Sequence, residues 1–440
     1  MEKQVLILGK GKSGQAAKKL LEKLGYKVYL WDEKDPLEIL KENYNFIVKS
    51  PGITPFKPYL EKIKDKLISE LDLALLNSKG YKVGITGTNG KSTTTLLTYL
   101  LFKTLSELYP SYTSFIGGNF GNPFSKFAYF THEKSISVLE LSSFQLYDSK
   151  HLNFHVGAIL NISEDHLTWH GSFTNYMESK LKLILNSKIK IMEEKTYLKY
   201  KIAFPKKIKN LSIITFGKSG KSSYSLKNNT IYTPNIQITL DDFPEIAEPP
   251  FAMDLLASLC IFENFVSKFL EIKLKDFYNL DFIKKTLSKY RKLPFRLEKR
   301  KLAFITIYND SKSTNPHSVE WALKAIKEDV VLLMGGKDKG LCFNNLIPLI
   351  EKKVKAVFLF GEAKNSIYKQ IKNSSYIEVC NSLEEAFLKA LKFALKKDCS
   401  ILFSPGCSSF DKFKNYLERG EYFDRLLKKY KYIVEERCLG

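Results

Sequence analysis

The sequence predicts an α/β protein of three domains, each built on a mostly parallel sheet. Three observations carry this. Short apolar strands alternate with helical patterns along the whole chain, a spacing that gives parallel, doubly wound sheets. The alternation restarts near residues 5, 82 and 293, the first two times with a strand–glycine–helix set. The 440 residues suffice for two to four domains at roughly 100–200 residues each. The boundaries are placed at 1–78, 79–292 and 293–440.

In the first domain VLIL (5–8) is a short buried strand, and GKGKSG (9–14) opens the helix QAAKKLLEKLG. KVYLWD (27–32) is a second strand ending in an acid, and NFIVKSPG (45–52) a third. GKGKSG with Asp32 eighteen residues beyond Gly14 matches the fingerprint of a Rossmann-like dinucleotide-binding turn, which alone would suggest NAD. The same glycines also serve close packing alone, and a fold does not fix its ligand. The second domain opens with KVGITGTNGKSTTTLLTYLLF, again strand, glycines and helix. Strands follow at 135–141 and 156–162. The stretch 180–227 carries 13 lysines, and its runs KIAF and LSIITFG are expected to be strands with solvated faces. Residues 252–270 form an apolar-rich helix. In the third domain AFITIYND, VVLLMGGKDKG, AVFLFGE and SILFSPG are four strand-then-turn signals.

Composition narrows the class. Apolar residues make up 44% and charged residues 26%, ordinary for a chain with large cores. The longest apolar runs, such as 96–102, fall far short of the about 20 residues of a membrane span. The opening MEKQVLILGKG reads as a first strand, not a signal peptide. The six cysteines form no C-x-x-C pair, so reduced thiols in a cytoplasmic protein are expected. The net charge is +22, which raises nucleic acid as a partner. Only six of the 69 basic residues are arginine and the other 63 are lysine, whereas arginine is the usual reader of bases and phosphates. No nucleic-acid partner is expected. Apart from Lys180, the lysines of 180–227 read as background.

GITGTNGKS (84–92) is the strongest chemical signal. Backbone N–H groups of such a turn and the helix start behind it cradle phosphates. The cradle comprises Gly84, Thr86, Gly87, Thr88, Asn89 and Gly90, then Lys91, Ser92 and Thr93. Lys91 would neutralise the β- and γ-phosphates, and Ser92 would offer its hydroxyl to Mg²⁺. The first glycine of the usual pattern is replaced by Ile85, which makes this a variant loop. Glu140 ends a strand about fifty residues later; it is a Mg²⁺ ligand or an exposed strand-end acid. NISEDHLTWH offers Glu164, Asp165, His166 and His170, as ligands or as a polar loop. Spacing alone does not favour Lys180 over Lys182. A nicotinamide dehydrogenase and a nucleic-acid-stimulated ATPase are the rival classes. The first leaves GITGTNGKST unexplained, and the second finds no RNA-binding signature.

Ten segments in order resemble the Mur ligase family of ATP-dependent amide ligases: GKGKSG, KSPGITP, GITGTNGKST, GGNFGNP, ELSSFQL, NISEDHLTWHGSFTNYMESK, LPFRLE, YNDSKSTNP, LMGGKDKG and SPGCSSFDKFKNYLERG. NDSKSTNP and SPGCSSFDKFKNYLERG are similar to the patterns of the D-glutamate-adding branch. The resemblance implies that ATP phosphorylates the carboxylate of UDP-N-acetylmuramoyl-L-alanine, and that the amine of D-glutamate then displaces phosphate. It implies a monomer with two Mg²⁺ ions, held by Ser92, Glu140, His166 and Lys180, the last as a carbamate. It places Lys312 and Asp310 by the reacting phosphate and Arg296 by ATP. It places Asn119 and His166 on the muramoyl substrate, and Lys12, Ser13, Asp32, Lys34 and Ser50 on its UDP. Thr314, Lys339, Ser409, Phe410 and Tyr416 would meet D-glutamate. The chain departs from the family pattern at Glu33, at Phe251 and Asp254, and at Phe295.

Overall fold

In the computed structural model, which describes residues 3–41, 43–247 and 249–439, the strands build three sheets. The first has four parallel strands in the order Lys27–Trp31, Gln4–Leu8, Phe46–Lys49, Leu67–Ser69. The second has nine. From one edge these run Thr113–Gly118, Ser135–Glu140, Tyr81–Thr86, Phe154–Ile159, Ser187–Glu193, Ile214–Gly217 and Tyr224–Lys227, all parallel. Thr230–Tyr232 and Gln237–Thr239 close it as antiparallel strands. The third has six strands in the order Glu298–Leu302, Ile305–Asn309, Ser400–Gly406, Val330–Gly335, Val354–Phe360, Tyr376–Val379, parallel except the first pair.

Two compact units contain these sheets. The first holds residues 1–162 and 172–290, and the second 163–171 and 291–440. The first two sheets share a unit because they share a core. Val5, Ile7, Leu71 and Leu73 of the N-terminal layers pack in one apolar cluster with Leu139, Leu141, Phe154 and Leu183. Polar contacts reinforce it: Lys49 pairs with Asp148 at 2.5 Å, and the Ser125 N–H donates to buried Glu70 at 3.0 Å.

Two expectations fail locally. KIAF is not a strand; it closes the helix Glu194–Ala203, capped by Glu193 accepting from the Thr196 N–H at 2.8 Å. Thr196 and Tyr200, one turn apart, are the buried positions, so the period is helical. Glu298–Leu302 (EKRKL) is a strand the pattern did not announce. It is an edge strand, where charged side chains are expected. Five cysteines are free thiols, at 260, 342, 380, 399 and 407; the Cys438 side chain lies outside the described residues. No described helix is long and apolar enough to cross a membrane.

Candidate active site

The phosphate loop stands at the carboxyl end of Tyr81–Thr86, which lies inside the nine-stranded sheet and feeds the helix Lys91–Leu108. Parallel sheets bind ligands at this end. Gly90 caps the helix with φ 80°, and a Cβ there would stand 2.3 Å from Asp254 Oδ1. Both facts demand glycine. Asn161 braces the turn: Asn89 N–H donates to its Oδ1 at 2.8 Å, and its Nδ2 donates to the Asn89 carbonyl at 2.9 Å. Lys91 Nζ curls over the loop and donates to the Gly87 and Thr88 carbonyls at 2.9 and 2.7 Å. Gly84 has no room for a side chain, since a Cβ would lie 2.7 Å from Leu183.

Two further side chains reach the same loop. Lys180, buried on the helix Phe173–Leu185, donates to Thr86 Oγ1 at 3.1 Å and to the Gly87 carbonyl at 2.9 Å. Its ammonium also lies 4.8 Å over the Tyr176 ring. Lys182 instead donates to the Tyr147 carbonyl, so the fold separates two lysines that spacing left equal. Glu140 is paired with Ile85 across one strand and with Gly118 across the other. Its Oε1 accepts from Asn119 Nδ2 at 2.6 Å. Its Oε2 is buried and unpartnered, as is Thr93 Oγ1 in the first helical turn. A buried carboxylate oxygen left this way is costly, and a cation would satisfy it. Among the described residues no group of three or more His, Cys, Asp or Glu converges on a metal. One carboxylate and the Ser92 hydroxyl suit Mg²⁺, which completes its shell with water and phosphate oxygens.

The N-terminal turn is built by packing. Gly9 adopts φ 102°, and a Cβ on Gly14 would lie 1.9 Å from the Gly9 carbonyl oxygen. Ser50 is buried beside Gly9, its hydroxyl 3.5 Å from that carbonyl. Lys12 and Lys34 are exposed, and Ser13 and Asp32 half-buried. The Asp32 N–H donates to Asp35 Oδ2 at 2.6 Å, while Lys10 holds Asp35 by an ion pair at 2.6 Å. Glu33 has local partners, Lys57 at 3.0 Å and the Tyr59 hydroxyl at 3.3 Å.

In the second unit the NDSKSTNP segment follows strand Ile305–Asn309. Asp310 is buried, accepting from the Leu297 N–H at 3.2 Å and the Ser404 hydroxyl at 2.9 Å. Burial pushes its carboxyl up to about 7, against those hydrogen bonds and the nearby Arg296 and Lys292 charges, which favour the ion. Lys312 Nζ lies 4.0 Å over the Tyr416 ring. Ser409 is buried, Thr314 half-buried, and Phe410 is 69% exposed.

Two residues here stand outside the set of site residues that the sequence assigns. Asp165 is buried and accepts from Lys339 Nζ at 3.0 Å, Asn315 Nδ2 at 3.2 Å and the His166 N–H at 2.9 Å. It fixes His166, which sits at φ 54°, and neutralises Lys339. Arg419 is fully buried. Its fork donates to Ser311 Oγ at 3.1 Å, the Ser311 carbonyl at 2.8 Å and the Cys407 carbonyl at 2.9 Å. It thereby ties the 309–316 segment to the turn after strand Ser400–Gly406. Its type was the missed signal: in a chain with six arginines and 63 lysines, an arginine marks a place where a planar fork is needed.

The chain matches the Mur ligase middle domain over residues 85–258 and the Mur ligase glutamate ligase domain over residues 295–407. It is 34% identical over 432 residues to the UDP-N-acetylmuramoylalanine–D-glutamate ligase of Aquifex aeolicus, covering 96% of this chain and 98% of that protein. The chain belongs to the Mur ligase family. A second such ligase, from a Hydrogenobaculum strain, is 36% identical over 97% of this chain and 98% of that protein. Among solved structures, the fold is shared with the MurF ligase of Thermotoga maritima in complex with ADP, at TM-score 0.57 and 19% identity, over 99% of this chain and 96% of that one.

Within the Mur ligase frame the departures acquire places. Asp254, on the helix Pro249–Phe269, accepts from Thr94 Oγ1 at 3.2 Å and lies against Gly90. Phe251 is buried in the core beneath the central sheet. Phe295, at φ 58°, presses its ring on Gly420, where a Cβ would come within 2.4 Å, while its carbonyl accepts from the Lys312 N–H at 3.0 Å.

Proposed function

We propose that this Mur ligase uses ATP to join D-glutamate to UDP-N-acetylmuramoyl-L-alanine in the cytoplasmic synthesis of peptidoglycan precursors. The substrate pair rests on full-length likeness to ligases of that name. One structural observation carries the chemistry: Lys91, Lys180 and the unpartnered Glu140 oxygen gather at one phosphate loop.

A carboxylate is a poor electrophile, so it must first gain a leaving group. Its oxygen attacks the γ-phosphorus, the bond to the bridging oxygen breaks, and ADP departs. The D-glutamate nitrogen then attacks the acyl carbon, phosphate leaves, and the amine gives up its proton. The chain's task is positioning and charge neutralisation. The loop N–H groups and Lys91 hold the triphosphate. Glu140, Ser92, His166 and a carbamylated Lys180 would hold Mg²⁺, which draws charge from the phosphoryl oxygens when bound. Asn119 orients the muramoyl group while bracing Glu140. Lys12, Ser13, Asp32, Lys34 and Ser50 receive UDP. Arg296, Asp310 and Lys312 serve phosphate transfer, and Thr314, Lys339, Ser409, Phe410 and Tyr416 the amino acid. Lys339 would exchange part of its pairing with Asp165 for a substrate carboxylate.

The test is phosphate release with ATP, Mg²⁺ and UDP-N-acetylmuramoyl-L-alanine, with D-glutamate supplied or withheld. Release should depend on D-glutamate, and neither L-glutamate nor diaminopimelate should replace it. Turnover with either of these and not with D-glutamate overturns the reading.

A further inference from the structure

The net charge is not spread evenly. Residues 180–227 contain 13 lysines, two glutamates and neither arginine nor aspartate. Their excess of 11 positive charges is half of the chain's +22, in about a ninth of its length. The fold displays much of it on one feature. Helix Glu194–Ala203 turns Thr196 and Tyr200 inward, and the following Phe204 and Ile208 are buried too. Lys195, Lys199, Lys201, Lys206, Lys207 and Lys209 are left exposed.

The acids of the segment do not neutralise this face. Glu193 caps the Thr196 N–H, and Glu194 accepts from the Ser219 N–H and the Ser222 hydroxyl. Lys207 pairs with Glu178, and Lys199 donates to the Ile162 carbonyl. Among the described residues no carboxylate lies within ion-pair distance of Lys195, Lys201, Lys206 or Lys209.

Two aliphatic side chains stand among these lysines. Leu198 is 57% exposed and Ile202 82% exposed, one helical turn apart. A single exposed leucine needs no explanation. Two on the same turn-to-turn stripe, flanked by exposed lysines, are placed to dip into a charged interface that the lysines approach. A nucleic acid would use the charge and leave the aliphatics in water, and it would favour arginine.

We propose that helix Glu194–Ala203 and the 205–209 turn after it dock this enzyme on an anionic lipid bilayer, with Leu198 and Ile202 entering the headgroup region. The lysines supply long-range attraction, on the order of fivefold in affinity each near such a surface. The attraction fades with ionic strength.

Flotation of the full chain with vesicles tests this. Phosphatidylcholine vesicles with phosphatidylglycerol should carry the protein up, pure phosphatidylcholine vesicles should not, and added salt should release it. Lys201→Glu/Lys206→Glu/Lys209→Glu should weaken binding by roughly 100-fold or more. Leu198→Ser/Ile202→Ser keeps the charge and should weaken binding several-fold, with ligase turnover in solution unchanged. Absence of binding to the anionic vesicles overturns the proposal. So does equal binding by the charge-reversed chain, or capture by RNA as tight as by vesicles and indifferent to the serine pair.

Discussion

Residues 9–14 and 84–92 are both glycine turns between a parallel strand and a helix, yet their surroundings differ. At the first, the glycines answer to packing, with the Gly9 carbonyl where a Gly14 side chain would be, and the lysine at the helix start is exposed. At the second, Lys91 is bound into the loop, Lys180 reaches it from a buried helix, and Glu140 ends the neighbouring strand with an oxygen unpartnered. The turn by itself is a cradle for phosphate. What the adjoining strand ends and helices project into it makes the two turns chemically different.

The comparison breaks most sharply at Lys91. Lys91→Ala should lower kcat by on the order of 10³-fold, through lost charge stabilisation, and leave binding of the UDP substrate to the first turn intact. Calorimetry with the UDP substrate beside a phosphate-release assay separates the two. Loss of both would mean that the substitution damages the fold. Next comes Lys180→Ala, with a loss of about 10²-fold or more. If the lysine acts as a carbamate, the missing group is a carboxylate, so acetate should restore part of the rate and methylamine none. Rescue by methylamine alone would assign the role to the ammonium.

Lys180 also shows how much was legible. Strand, glycine and helix announce themselves locally, so the sheets and Lys91 could be read in order. Choosing Lys180 over Lys182 needed the phase of a helix. Met177, Lys180, Leu181 and Ile184 share its buried stripe, a 3.6-residue pattern open to inspection in the sequence. Asp165 was less accessible, because its partners Lys339 and Asn315 lie about 150 residues and more away along the chain. KIAF misled because four apolar and basic residues fit either period. The lysines of 180–227 read as composition because sequence does not say which of them share a surface with Leu198 and Ile202.

Gly14→Ala turns the comparison toward stability. Its Cβ would meet a backbone oxygen, which no rotamer change relieves, so a loss of about 2–3 kcal/mol is expected. Thermal melting should show it, with UDP-substrate binding lost in parallel.

Asp310 gives a pH signature of its own. Its carboxyl stands at about 7 in the fold against an ordinary 3.8, so the native state binds the proton more tightly than the unfolded chain. Its contribution is therefore fully present below pH 3.8 and lost as pH rises through about 7. Urea unfolding from pH 4 to 8 should show the wild-type chain losing on the order of 4 kcal/mol relative to Asp310→Asn. Parallel curves would mean that Asp310 is ionised throughout.

The smallest expected effect is the most discriminating for the first loop. A Cβ on Gly11 would meet nothing within 4 Å, and Gly11 caps the helix in an extended conformation at φ −73°. Alanine fits there, so Gly11→Ala should alter stability by less than about 0.5 kcal/mol. Besides serving as a helix N-cap, glycine at that position lets a phosphate come against the backbone. A several-fold weaker affinity for the UDP substrate, with melting unchanged, would show that the first turn also receives phosphate at its backbone. Unchanged affinity would leave Lys12, Ser13 and the strand-end residues as the whole of the UDP site, and would make the first turn a packing device beside the second.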